Sequence, residues 1–316
     1  MTRGWISHLE RALPGKVQRD VPLAPLTTYR IGGPADALFE PEAADDVRHA
    51  LEIVRSHDVP WLVLGLGSNM LVSDAGWRGL VLRMAKPLAR LEPHDGRWRV
   101  GAGFPTPLLA RRSAAEGFAG VHRLVGVPGT VGGGVYMNAG AHGQEFRQVV
   151  RRVTLVSAQG HLEERHADAI AWTYRSSGLG SVVVLEAELE LEPADPARLK
   201  VEIEEHLRWR KAGTPFNEPC CGSVFRNPVW PTSDGEKRGR EGRDEGPRTA
   251  GQLIEAVGMK GFRVGGAEVS HLHANYIVNT GGATAGDVLA VIDAVRGRVE
   301  DEFGVVLELE VRVVGS

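Results

Sequence analysis

Apolar and polar positions follow two different periods along the chain. In residues 43–56 the apolar positions recur every three or four residues, which predicts an amphipathic helix. In residues 185–192 they alternate strictly with glutamates, which predicts a half-buried strand that ends at Pro193. Residues 197–211 return to a helical pattern. We therefore expect a mixture of helices and strands, with a domain boundary near residue 210.

The C-terminal third continues this mixture. Residues 264–270 and 276–279 are composed like strands. A helix is predicted from Thr284, where Asp287 completes a capping box. Residues 306–314 alternate cleanly, which predicts one final strand.

The glycine-rich run Gly65-Leu66-Gly67-Ser68-Asn69 is preceded by strand-like residues 61–64 and followed by strand-like residues 80–82. A Rossmann nucleotide site instead needs its glycines at the opening of a helix. The order of elements therefore argues against a doubly wound nicotinamide domain.

Length and charge narrow the class of protein. A chain of 316 residues suits two or three domains. The net charge of −3, with both signs interspersed, disfavours nucleic-acid binding. There is no apolar run long enough to span a membrane, and the start has no secretory signal pattern. We expect a cytoplasmic protein without membrane contact.

Three further features affect the candidate chemistry. Cys220 and Cys221 are adjacent, which favours reduced thiols over a disulfide. His271 and His273 would share a strand face, but no third ligand is evident, so no metal site is predicted. Residues 232–248 contain no apolar residue and are predicted to form a mobile surface loop.

Two glycine-rich segments are candidates for holding phosphate groups. Residues 65–69 could direct consecutive main-chain N–H groups at an anion, although for this segment alone ordinary turn chemistry is the better explanation. Residues 126–134 hold five glycines, too many for one tight turn, which favours close approach of the backbone to a ligand.

Three distant segments supply a guanidinium, a hydroxyl and a carboxylate: Tyr174-Arg175-Ser176-Ser177, Gly222-Ser223-Val224-Phe225-Arg226-Asn227-Pro228 and Glu308-Leu309-Glu310-Val311-Arg312. Such groups suit the addition of hydride and a proton across a polarised carbon-carbon double bond. Taken singly, each has an ordinary alternative: a structural arginine, a turn serine and an exposed glutamate.

In this order, and together with Thr27-Thr28-Tyr29-Arg30-Ile31-Gly32-Gly33, the segments resemble the MurB-type UDP-N-acetylenolpyruvoylglucosamine reductases, flavoenzymes of peptidoglycan precursor synthesis. The resemblance runs from Thr27 to Gly315. It implies an α+β fold, with a two-subdomain FAD-binding region of the vanillyl-alcohol-oxidase/PCMH-like type and a C-terminal α+β substrate-binding domain. The expected boundaries are 1–84, 85–210 and 211–316.

The resemblance also implies noncovalent FAD, because no histidine or cysteine tether lies in the glycine-rich segments. NADPH is the implied hydride donor. Tyr29 is an implied cofactor contact, with core packing as an equal alternative. The other implied cofactor contacts are Gly65, Leu66, Gly67, Ser68, Asn69, Met70, Gly126, Pro128, Gly129, Thr130, Gly132, Asn138, Ala139 and Gly140.

By the same resemblance, Arg175 binds the carboxylate of UDP-N-acetylglucosamine enolpyruvate, Ser223 is the general acid and Glu310 acts with the arginine. The implied substrate contacts are Asn227, Glu268, His273 and Asn275, with Glu268 standing where the family often has glutamine. The short link at residues 178–180 indicates the subgroup without a tyrosine-bearing lid. The oligomeric state is left open, and a monomer is compatible with the sequence.

Two other functions fit parts of this pattern. A flavin oxidase of an alcohol or a sugar would use the same cofactor segments but has no use for an acid at Ser223. A catalytically idle binder of flavin or sugar nucleotide would need none of the three catalytic groups.

Overall fold

The computed structural model describes residues 4–84, 88–229 and 248–315. The chain forms two compact units, and it passes between them several times. Unit 1 comprises Met1–Pro22, Pro34–Ser68 and Gly76–Ala212, and unit 2 comprises Leu23–Gly33, Asn69–Ala75 and Gly213–Ser316.

The helices are α1 (Gly4–Ala12), α2 (Ala44–Ser56), α3 (Thr106–Ala115), α4 (Val131–Tyr136), α5 (Pro196–Gly213), α6 (Ala250–Ala256) and α7 (Ala285–Phe303). The strands are β1 (Val17–Pro22), β2 (Pro34–Phe39), β3 (Trp61–Leu64), β4 (Met70–Val72), β5 (Trp77–Arg83), β6 (Leu91–His94), β7 (Arg97–Gly101), β8 (Phe118–Ala119), β9 (Gly140–Ala141), β10 (Gln144–Glu145), β11 (Val150–Ser157), β12 (Leu162–His166), β13 (Val182–Glu190), β14 (Glu192–Pro193), β15 (Arg263–Val264), β16 (Ala267–Val269), β17 (Ile277–Asn279) and β18 (Arg312–Val314).

Unit 1 contains two main sheets. The first has the order β1-β2-β5-β3, in which β2, β5 and β3 run parallel. The second, β12-β11-β13-β7-β6, is antiparallel throughout. Their apolar faces and the buried side of α2 belong to one core, which includes Phe39, Trp98 and Phe146. This core fixes β3, the strand from which the first glycine-rich segment leaves.

Unit 2 combines the antiparallel sheet β15-β16-β17 with the parallel pair β18-β4. Helix α7 begins with the predicted capping box: Thr284 Oγ1 accepts the N–H of Asp287 at 3.0 Å, and the carboxylate of Asp287 accepts the N–H of Thr284. Its apolar face packs in a core that also contains Tyr29, Ile31 and Leu71. Unit 2 therefore needs two short segments from the first quarter of the chain.

Most of the periodic segments form the elements predicted for them. The helix at 43–56 and the strand at 185–192 are confirmed as α2 and β13, although β13 begins three residues earlier. The single strand expected at 264–270 is wrong: Gly265 adopts φ +53°, and the segment forms a hairpin of β15 and β16.

The long final strand expected at 306–314 is also wrong in extent. Only Arg312–Val314 pairs as a strand, and Val313 is 40% exposed although the alternation placed it on the buried face. The break follows from a change of partner, because Leu309 forms an isolated bridge with Phe225 while β18 pairs with β4.

The three-part division at residues 84 and 210 stays a prediction. The predicted loop at 232–248 lies, except for Arg248, outside the described residues. Within the described ranges, every helix is too short or too polar to cross a membrane.

Candidate active site

The first glycine-rich segment, residues 65–69, follows β3 and leads into β4. Gly67 has φ +62°, a left-handed conformation that glycine adopts without steric cost. Gly65 lies so close to Thr130 that a Cβ atom there would be 2.7 Å from Thr130 Oγ1. The missing side chain at Gly65 is therefore what lets this segment reach the second one.

The second glycine-rich segment, residues 126–134, leads into α4. Gly129 has φ +116°, and a Cβ atom there would lie 2.9 Å from Ser68 Oγ. Thr130 caps α4, with its Oγ1 accepting the N–H of Gly133 at 3.4 Å. The two segments thus meet twice within unit 1, at Gly65 with Thr130 and at Ser68 with Gly129.

These two segments fit the pyrophosphate of a dinucleotide cofactor. Their glycines carry no side chain that would keep a ligand away from the backbone, and Ser68 adds a neutral hydroxyl donor. Arg210 adds positive charge, because its Cδ lies 2.5 Å from the place a Cβ of Gly126 would occupy. Our sequence interpretation missed Arg210. The four-residue spacing of Glu202, His206 and Arg210 on α5 is the signal that could have found it.

A hydrogen bond between buried His122 and Glu202 fastens α5 beside the second segment. His122 is 4% exposed, and its Nε2 lies 3.0 Å from Glu202 Oε2, which Arg123 also approaches at 3.4 Å. Burial lowers the pKa of His122, although the bond to Glu202 partly offsets this effect. For Glu202, burial acts to raise the pKa of the carboxyl, but the bonds from His122 and Arg123 outweigh it and the pKa is lowered.

Six of the predicted cofactor contacts are buried: Tyr29, Gly67, Met70, Thr130, Gly132 and Asn138. Tyr29 is fully buried in the core of unit 2, and its hydroxyl donates to the carbonyl of Ile277 at 2.9 Å. Met70 is buried in β4. Asn138 is fully buried, and its side chain joins the carboxylate of Glu145, the carbonyl of Thr173 and the N–H of Arg147. Tyr29 and Asn138 are both packed into the protein interior, and their contacts with a cofactor stay predictions.

The remaining predicted cofactor residues lie as follows. Leu66 and Pro128 are exposed at the surface of unit 1. Gly132 is buried against Ala102. Ala139 and Gly140 are half-buried beside the two-residue strands β9 and β10. Their contacts with a cofactor stay predictions.

Arg175 lies in a tight turn held by the end of α4 and the residues just after it. Thr173 and Ser176 exchange two main-chain hydrogen bonds across the turn, and Arg175 has φ +59°, which costs a non-glycine residue roughly 1–2 kcal/mol. Asn138 Nδ2 donates to the carbonyl of Thr173 at 3.0 Å. On the other side, the hydroxyl of Ser177 donates to the carbonyl of Tyr136 at 2.8 Å. The turn is therefore anchored to Tyr136, the last residue of α4, and to Asn138 just after that helix.

Ser223 and Glu310 come from distant parts of the chain to one place in unit 2. The N–H of Glu310 donates to the carbonyl of Val224 at 2.8 Å, and the N–H of Arg226 donates to the carbonyl of Glu308 at 2.9 Å. Ser223, next to this ladder, is half-buried. The hydroxyl and the carboxylate proposed from the sequence are thus held by main-chain bonds in a fixed register.

Glu308 and Glu310 differ in burial although they share one face in an extended chain. The Glu308 side chain is 76% exposed and lies 3.8 Å from Arg226, whereas Glu310 is half-buried. Asn69 Nδ2 donates to the Glu310 carbonyl at 3.1 Å, so the last residue of the first glycine-rich segment helps to hold Glu310. Our sequence interpretation missed this second role of Asn69.

Cys221 is fully buried near these residues. Burial raises the pKa of its thiol, and the charges of Cys220 and Glu310 add to the increase. Cys221 is therefore a neutral thiol at physiological pH, and the structure gives it a packing role.

The four predicted substrate contacts do not share one environment. Asn227 Oδ1 accepts the N–H of Ala250 at 3.1 Å, and a Glu268 oxygen lies 3.3 Å from His271 Nε2. His273 is half-buried, and its ring centroid lies 4.9 Å from that of Tyr276. Asn275 is buried, with its side-chain amide bonded to both the N–H and the carbonyl of Phe225. The contacts of all four residues with a substrate stay predictions.

Comparisons with known proteins cover both units. Residues 35–165 match the model of an FAD binding domain, and residues 214–314 match that of the C-terminal domain of UDP-N-acetylenolpyruvoylglucosamine reductase. The chain is 39% identical to the reductase of that name from Anoxybacillus flavithermus, over 98% of this chain and 97% of that one. It is 37% identical to the reductase of Bacillus subtilis, over 98% of each chain.

A solved structure is similar as well. The crystal structure of UDP-N-acetylenolpyruvylglucosamine reductase (MurB) from Thermus caldophilus superposes with a TM-score of 0.76 at 33% identity. The match covers 95% of this chain and 99% of the Thermus chain.

Proposed function

Because the chain belongs to the MurB family of UDP-N-acetylenolpyruvoylglucosamine reductases, we propose that it reduces UDP-N-acetylglucosamine enolpyruvate to UDP-N-acetylmuramate with NADPH as reductant. This is a step of peptidoglycan precursor synthesis, and we place it in the cytoplasm. The observation that carries the proposal is the main-chain bond in unit 2 between Glu310 and Val224, the residue after Ser223. A flavin oxidase would have no use for this arrangement.

FAD, when bound, would supply the hydride chemistry, with NADPH as the hydride source and the terminal vinyl carbon of the substrate as the acceptor. The glycine-rich segments of unit 1 hold the cofactor pyrophosphate, with positive charge from Arg210. The proposal includes contacts of the cofactor with Gly65, Ser68, Gly129 and the neighbouring predicted residues.

Negative charge then develops on the substrate carbon next to the one that receives hydride, and it spreads into the carboxylate. Arg175 binds that carboxylate, because a guanidinium fork matches its two oxygens. The turn that contains Arg175, with its positive φ, sets the position from which the guanidinium extends. Glu310 helps to orient the acid group of the substrate.

Ser223 Oγ donates the proton that completes the addition. Serine is a weak acid, so donation succeeds because the carbon it protonates is strongly basic and close. The serine oxygen then recovers a proton from water. Half-burial of Ser223 limits competing protonation by solvent while leaving the hydroxyl accessible to substrate.

Ser223→Ala tests the proposal through two half-reactions followed by flavin absorbance without oxygen. We expect NADPH to bleach the flavin at the wild-type rate, because that step needs no acid. Reoxidation by the enolpyruvyl substrate should slow by about 10²–10⁴-fold. Ser56→Ala, the same change on the surface of unit 1, is the control and should alter neither rate.

Two outcomes would contradict the proposal. If the wild-type flavin bleaches with NADPH but never recovers with the enolpyruvyl substrate, the acceptor is a different compound. If Ser223→Ala recovers as fast as wild type, Ser223 is not the acid.

A further inference from the structure

Asn275 holds the chain directly after Ser223 by three hydrogen bonds. Its main-chain carbonyl accepts the N–H of Val224 at 2.8 Å. Its side-chain Oδ1 accepts the N–H of Phe225 at 2.9 Å, and its Nδ2 donates to the carbonyl of Phe225 at 2.8 Å. One buried residue thus satisfies three polar groups of two consecutive residues.

The segment held in this way also carries the bond to Glu310. Val224 donates to Asn275 on one side and accepts the N–H of Glu310 on the other. Phe225 forms the isolated bridge to Leu309. Val224 therefore lies between Asn275 and Glu310. Its position determines how the main chains of Ser223 and Glu310, the two proposed catalytic residues, are aligned.

Asn275 is itself fixed in place. Its N–H lies 3.1 Å from His273 Nδ1, and the residue is 4% exposed among buried neighbours that lead into β17. A rigid side chain with a donor and an acceptor at fixed positions can hold a neighbouring peptide much as a strand would.

We infer that Asn275 is a positioning residue for protonation by Ser223, acting through Val224 and Phe225. The inference depends on the proposed function. A displacement of about 1 Å in a reacting group can cost about 10²-fold in rate. Asn275 therefore matters for the step that uses Ser223 and not for hydride uptake from NADPH.

The chemistry of the amide suggests a sharp test. Asn275→Asp keeps the acceptor for the N–H of Phe225, but it can donate to the carbonyl of Phe225 only while its carboxyl is protonated. Ionisation would place a buried negative charge against that carbonyl oxygen. The variant should therefore hold Ser223 correctly at low pH and release it at high pH.

Both half-reactions are to be measured in the FAD-loaded variant from pH 5.5 to 8.5. At pH 8 we expect reoxidation by the enolpyruvyl substrate to be slowed by about 30–100-fold, and bleaching by NADPH to stay within about twofold of wild type. The reoxidation rate should recover toward wild type as the pH falls.

Asn279→Asp is the matched control. Asn279 is also a buried asparagine close by in the same region, but its side chain bonds to Tyr29 O and to the N–H groups of Gly281 and Ala283. This variant should lose stability without a selective effect on reoxidation. If Asn275→Asp fails to fold, Asn275→Ser replaces it, and it should show the selective loss without recovery at low pH.

Equal losses in both half-reactions would overturn the inference, because they would mean general structural damage. Unchanged reoxidation at every pH would overturn it as well. If the wild-type flavin is not reoxidised by the enolpyruvyl substrate, the proposed function fails and this inference fails with it. The flavin absorbance of the wild-type protein alone reveals that case.

Discussion

A Cβ atom added to Gly65 would lie 2.7 Å from Oγ1 of Thr130, closer than real Cβ atoms approach their neighbours. Thr130 has little freedom to move, since it is 3% exposed and its hydroxyl caps α4. A substitution at Gly65 is therefore a sensitive test of whether the two glycine-rich segments, residues 65–69 and 126–134, bind the cofactor.

Gly65→Ala should weaken FAD binding. Overpacking costs about 1–3 kcal/mol, which corresponds to roughly 5–150-fold in the dissociation constant if the strain falls on the bound state. Flavin fluorescence titration of the apoprotein measures it. Gly297→Ala, in α7 with nothing near the new methyl group, should leave FAD affinity unchanged. If Gly65→Ala and wild type bind FAD with equal affinity, the proposed binding of FAD by the two glycine-rich segments is refuted.

Glu310→Gln should slow substrate reduction by about 10²-fold while leaving flavin bleaching by NADPH unchanged. Glu308→Gln is its natural control, because Glu308 is two positions away and mostly exposed. It should change either rate by less than about twofold. If the two variants behave alike, the role assigned to Glu310 is wrong.

Arg175→Gly should separate stability from activity. Glycine relieves the positive φ of 59°, while the loss of the guanidinium abolishes carboxylate binding. Compared with Arg175→Ala, which keeps the strain, the glycine variant should be about 1 kcal/mol more stable in urea denaturation. Both should lose substrate reduction. A glycine variant less stable than the alanine variant would show that the turn is unstrained.

Acid should destabilise unit 1 partly through His122. Burial lowers the pKa of His122 below its ordinary value of 6.5, so the unfolded chain binds this proton more readily than the folded one. The stabilising contribution is complete above pH 6.5 and is lost as the pH falls through the folded pKa. The carboxyl of Glu202 would lose its own contribution only below its ordinary value of 4.5.

In His122→Gln the free energy of unfolding should therefore fall less steeply than in wild type as the pH is lowered from 7 to 5. Some dependence of the unfolding free energy on pH should remain in the variant, since burial also lowers the pKa of His142. Urea titrations of wild type and variant at four pH values give the comparison. Parallel curves would mean that His122 does not titrate in this range.

Sequence reasoning succeeded where structure depends on local periodicity. The apolar stripe of α2, the alternation of β13 and the capping box of α7 each lie within a short window, and each formed as expected. Patterns of this kind reflect burial of one face, which the sequence records directly.

It failed where a contact joins distant residues or depends on backbone conformation. Asn275 and Phe225 are 50 positions apart, and Asn69 and Glu310 are 241 apart, so no period marks either pair. Arginine at position 175 gives no sign of a positive φ, which glycine would have signalled. Alternation in 306–314 predicted one long strand because it cannot show that the segment changes partner.

The pairing of β4 with β18 has a consequence for how the protein is made. Met70–Val72 leaves the ribosome long before Arg312–Val314, the strand with which it pairs. Unit 2 also takes Tyr29, Ile31 and Leu71 into its core, so its earliest segments must wait through most of translation for their partners. Unit 1 has nearly all its sequence by Ala212, and it is free to fold first. A nascent chain arrested before β18 should therefore protect the FAD-binding sheets from protease while leaving β4 open to cleavage.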